Sequence, residues 1–114
     1  MTTSAESDLN VEIRYEGPAV GFGGYDAADF FIYRPHQHSL ECALQLAMDA
    51  RRLLEEQTGP LSEGAVQALL KALAQRFYRE RIALKQEIPA IHTIRAREIE
   101  AGSIDAILHE AGLR

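Results

Sequence analysis

From Ser62 to about Gln86 the chain carries its strongest periodic signal. Val66, Leu69, Leu70, Leu73, Phe77 and Leu84 fall on one face of an α-helix. Ser62 supplies an N-cap, and Ile88, standing before Pro89, is biased toward extended backbone and so limits the far end. An apolar stripe of this length has to lie against another apolar surface.

Upstream, Leu9, Val11, Ile13 and Tyr15 alternate with Asn10, Glu12 and Arg14, the pattern of a strand with one buried face. Gly17-Pro18 is expected to end that strand. After Gly21, Gly23 and Gly24 comes the run Asp29–Arg34, aromatic and β-branched, which reads as a second strand. A glycine-rich connection between two strands suggests an antiparallel hairpin.

Downstream of Ser39, a plausible N-cap, Leu40, Ala43, Leu44, Ala47 and Leu54 cluster at helical spacing, and Leu46, Ala50 and Leu53 widen the arc. Gly59-Pro60 closes this first long helix. Pro89 is well placed to open a third helix, with Ile91, Ile94 and Ile99 inward and Gly102 at its end. Ser103 caps a short fourth helix, and Gly112-Leu113 provides a Schellman stop. The expected fold is α+β: an N-terminal two-stranded antiparallel hairpin followed by four helices, two long and two short. Residues 1–8 read as a disordered tail and 9–114 as one domain.

Composition narrows the function classes. The 114 residues carry 12 Lys+Arg against 17 Asp+Glu, so the chain is not a globally basic nucleic-acid binder. The lone Cys42 allows no internal disulfide, which fits a reducing compartment. No apolar run is long enough to span a membrane, the first residues lack the features of a secretory signal, and the expected location is the cytoplasm. The charge is uneven. Residues 1–30 hold six acids against Arg14 alone, whereas 71–97 hold seven cations against Glu80 and Glu87. Such an asymmetry attracts within one molecule or between two copies.

Four constellations bear on chemistry. The Gly21–Asp26 segment lacks the spacing of a phosphate loop, and Asp26 and Asp29 would repel phosphate, so a hairpin turn is expected there. His36 and His38, two apart, would point the same way in an extended segment, with Glu41 or Cys42 as a third metal ligand; a polar connection is the simpler expectation. Cys42 in a first helical turn would have a lowered pKa, but its place at the edge of the apolar arc favours an inert thiol. The cations of 71–97 scatter around their helix, and the helix after Ser103 offers Asp105, His109 and Glu110 but no Arg or Lys. A helix-turn-helix contact with phosphates therefore has the wrong sign.

No cofactor is implied. The expected function is a small non-enzymatic regulatory or accessory protein that binds another protein or a second copy of itself, a homodimer being the simplest case. Phe22, Tyr25, Phe31, Tyr33, Tyr78 and Arg79 are the candidate interface residues, because aromatic and Arg side chains dominate interface energetics. The unusually wide apolar arc of residues 40–54 and the two open sheet edges motivate that expectation. The alternatives are a nucleic-acid-associated regulator using Arg76, Arg79, Arg95 and Arg97, and a metal- or thiol-dependent enzyme centred on His36, His38 and Cys42.

Overall fold

A computed structural model describes residues 10–114; the expected tail, 1–8, and Leu9 lie outside them. Four strands form one mixed sheet in the order β1-β2-β3-β4. Strands β1 (Glu12–Val20), β2 (Asp26–Tyr33) and β3 (Leu40–Leu46) are antiparallel. Helices α1 (Met48–Thr58) and α2 (Glu63–Ala83) then carry the chain to β4 (Ile91–Ile94), which lies parallel to β3. A parallel pair needs such a crossover. Helices α3 (Ala96–Ala101) and α4 (Ile104–Glu110) complete the chain. No helix of the described residues is long and apolar enough to cross a membrane.

The α+β class stands, but the hairpin-plus-four-helices architecture is corrected at three places. Residues 40–46 are a strand, not the start of a helix, and Ser39 caps nothing. Their sequence satisfies both periods: 40, 43, 44 and 47 fit a helix, while Leu40, Cys42, Leu44 and Leu46 fit a buried strand face. Pairing with β2 decides it, setting Leu40 opposite Ile32, Cys42 opposite Phe30 and Leu44 opposite Ala28. The wide apolar arc was two patterns superposed, a strand face followed by a short helix.

Second, Ile91–Ile94 is a strand, and the helix expected from Pro89 begins only at Ala96. The β-branched Ile91, Thr93 and Ile94 suit a pleated surface, and Ala43 and Ala47 donate backbone hydrogen bonds to the Ala90 and Ile94 carbonyls. Third, β1 runs on through Gly17-Pro18. The register slips between Tyr15 and Gly17, leaving Glu16 as the extra residue of a bulge, and pairing resumes with Gly17 opposite Asp29. Pro18 is tolerated because β1 is an edge strand.

The pleat divides the sheet into two faces. Ile13, Phe30, Ile32, Cys42, Leu44, Leu46 and Ile94 point inward and are buried. Helix α2 crosses this face against β1, β2 and β3, bringing Val66, Leu69, Leu70, Leu73 and Tyr78 into the core. Each such side chain contributes roughly 1.5–3 kcal/mol by leaving water. Aromatic contacts run along it from β1 to β4: Tyr15 to Phe30, Phe30 to Tyr78, Phe77 to Tyr78, then His92 stacked on Phe77 at 3.9 Å.

Helix ends follow their sequence signals where a cap exists. Ser62 accepts from Ala65 and Ser103 from Ala106. At the chain's end, Gly112 has positive φ and the Leu113 amide donates to the Leu108 carbonyl, the expected Schellman geometry. Helix α2 ends at Ala83 rather than near Gln86, with Lys85 in the left-handed region at φ 56°.

Candidate functional site

Among the described residues no helix lies over the outer face of the sheet, and its two halves differ. Toward one end lie Ala27, Gln45 and Thr93. There the β1–β2 connection folds back onto the sheet. The Phe22 amide donates to Gln45 Oε1 at 2.6 Å, and Gln45 Nε2 donates to Thr93 Oγ1 at 2.9 Å. Gly21 makes this approach possible, since a Cβ there would stand 2.3 Å from the Tyr25 carbonyl oxygen. Ala27 and Gln45 are consequently buried although they face outward.

Toward the other end nothing among the described residues covers the sheet. Phe31 is half-buried and Tyr33, two residues on, is 49% exposed. The register places Arg14 beside Phe31 on one flank and Glu41 on the other, with Glu12 opposite Tyr33 and Ala43 opposite Asp29. The Arg14 guanidinium carbon lies 5.7 Å from the centroid of the Phe31 ring, and its Nε donates to Glu12 at 3.3 Å. Glu16, Asp29 and Glu41 surround a shallow depression of about 370 Å³ whose lining includes Phe31, Ala43 and Ala90. None of these three carboxylates takes part in a hydrogen bond or ion pair among the described residues.

The carboxylates elsewhere differ. Asp26 is paired with Arg51 at 2.8 Å, and Arg51 also reaches Glu55, four residues on along the same helix, at 3.4 Å. Glu110 holds Arg76 in a two-pronged pair at 2.7 and 2.9 Å. Glu98 accepts from the Arg95 amide and pairs with His92 Nε2 at 2.9 Å.

The expected interface residues separate in space. Phe31 and Tyr33 share the uncovered half-face. Phe22, 69% exposed, and half-buried Tyr25 belong to the connection at the opposite end of β2. Tyr78 is fully buried on the inner face, so its ring meets no partner, and exposed Arg79 donates to Gln75 on its own helix. Of the nucleic-acid candidates, Arg76 is held by Glu110 and by the Gly102 carbonyl, Arg95 stands at the N-cap of α3, and Arg97 is exposed.

His36, His38 and Cys42 do not converge. The imidazoles lie in the exposed β2–β3 turn, His36 at φ 62°, while Cys42 is buried on the inner face. Burial pushes the Cys42 thiol up from its ordinary value, the reverse of nucleophile activation. Among the described residues no His, Cys, Asp or Glu cluster is disposed to hold a metal ion. The β1 edge is also less open than expected. The bulge and Pro18 interrupt it, and Gln75 of α2 donates to the Ile13 carbonyl at 3.3 Å.

The three carboxylates of this face, Glu16, Asp29 and Glu41, and the amide of Gln45 were not candidate interface residues. The signal for Glu41 and Gln45 lies in the strand reading of 40–46, where they alternate with the buried set. Comparison with protein-family models, with curated proteins and with solved structures gave no match.

Proposed function

We propose that the chain is a non-enzymatic binding module, a regulatory or accessory protein whose uncovered half-sheet receives a basic segment of another protein. The observation that carries this reading is the set of three unpaired carboxylates around Phe31. A partner's cations would satisfy them, and Phe31 and Tyr33 would supply apolar contact beneath.

Other occupants fit less well. Two copies docked through this face would oppose Glu12, Glu16, Asp29 and Glu41 of each, with Arg14 alone among the described residues of the face to offset them, so like charges would repel. Strand addition along β1 meets the bulge, Pro18 and Gln75. Nucleic acid would bring phosphates to carboxylates. The motive for self-association drawn from residues 40–54 also lapses, since Leu44, Leu46, Ala47, Ala50 and Leu54 are buried within the chain itself.

The test is affinity capture from the native cell with the natural chain and with the triple variant Glu16→Lys, Asp29→Lys, Glu41→Lys. Basic proteins retained by the natural chain should be released by salt of about 1 M, where screening acts over roughly 3 Å, and should be lost from the variant. A retained set indifferent to the three reversals would overturn the reading.

A further inference from the structure

We infer that the uncovered half-sheet is built to take arginine rather than any cation, which rests on the basic-partner reading above and narrows it. The chain itself displays the contact on one flank of Phe31, where the Arg14 guanidinium stands over the ring with Glu12 beside it. On the other flank the same two ingredients recur without a cation among the described residues. Glu41 is the register partner of Phe31, and Asp29 lies two residues before it on the same strand and face.

Asp29 and Glu41 are thus diagonal neighbours across β2 and β3, a relation that sets side chains roughly 7–8 Å apart. One planar guanidinium between them can donate to both while resting on the aromatic face; an ammonium gains the charge but neither the fork nor the stacking. Small Ala43 and Ala90 leave the depression in which an arginine stem can lie.

The test uses two acetylated and amidated peptides, one alternating arginine and serine, the other lysine and serine. Binding is measured by calorimetry at low salt, with amide chemical shifts locating the contact. The natural chain should bind the arginine peptide about fivefold tighter. A lysine ammonium can also sit over a ring, as Lys71 does over Tyr15, but it lacks the planar stacking and the fork. Shifts should concentrate at Asp29–Tyr33 and Leu40–Ala43. Phe31→Leu should lower the ratio by removing the stacking, Phe31→Tyr should keep it, and Glu41→Gln should weaken both peptides and also lower the ratio by removing one arm of the fork. Equal binding of the two peptides by the natural chain overturns the arginine assignment and leaves the basic-partner reading standing. Binding of neither overturns both.

Discussion

Phe30 and Phe31 are consecutive residues of one strand with identical side chains, yet they live in different solvents. Phe30 is 2% exposed and meets Tyr15 and Tyr78 edge-to-face, each at 5.8 Å. Phe31 turns the other way, with the Arg14 guanidinium over its ring and carboxylates nearby. The pleat separates the two rings, and α2 decides which side becomes core. Truncation should therefore separate them sharply. Phe30→Ala removes a packed ring and should cost about 3–5 kcal/mol, read from urea midpoints. Phe31→Ala should cost under about 1 kcal/mol and act on partner binding instead. Equal losses would mean that the outer face is also core.

Gln45 sharpens the same contrast, because it faces outward and is nevertheless buried. Its amide joins the Phe22 backbone to Thr93, so the covered half of the outer face depends on one polar side chain. Gln45→Ala strands the Phe22 amide and should cost about 1–3 kcal/mol. Hydrogen exchange at Phe22 should accelerate while amides of β2 stay protected. Unchanged exchange at Phe22 would show that the connection is held by something else.

The sequence disclosed the elements whose two readings did not compete. Alternation at Val11, Ile13 and Tyr15 admitted only a strand, and the Val66–Phe77 stripe only a helix; both exist. Residues 40–47 satisfied both periods, and the choice between them is made by β2, whose Phe30 and Ile32 supply partners that no local window contains. The four residues of β4 are too few for a period to show, and a helix-opening Pro89 stands in front of them. For the candidate site the legible part was composition: Phe31 and Tyr33 stood out as aromatic. Glu41 and Gln45 did not, because assigning them to a face requires knowing that β3 is a strand.

The inner face holds one anomaly of its own. Tyr78 is fully buried and its hydroxyl has no hydrogen-bond partner of good geometry, lying beside the Cys42 thiol, whose Sγ donates at 3.8 Å to the Phe30 carbonyl. Burial pushes the phenol far up from its ordinary value, so it stays neutral. A polar atom left unsatisfied in a core is costly, and removing it returns part of that cost. Tyr78→Phe should raise stability by about 1 kcal/mol with an unchanged denaturant slope. A loss instead would reveal that the hydroxyl–thiol contact holds the two elements together.

The smallest expected effect belongs to a carboxylate in water that, unlike those of the uncovered half-sheet, has its cation. The Arg76 guanidinium holds the Glu110 carboxyl below its ordinary value of 4.5, first through their hydrogen bonds and then through charge. A group whose folded value is depressed contributes stability above its unfolded value and loses that contribution as pH falls through the folded one. Between neutral pH and about 4.5, Glu110→Gln should be slightly less stable than the natural chain; below that the two should converge as the natural Glu110 takes up its proton. Thermal midpoints followed from pH 7 down to pH 3 would show the gap close. A gap that persisted at the acid end would mean that Glu110 acts by packing against α2 and not through its charge.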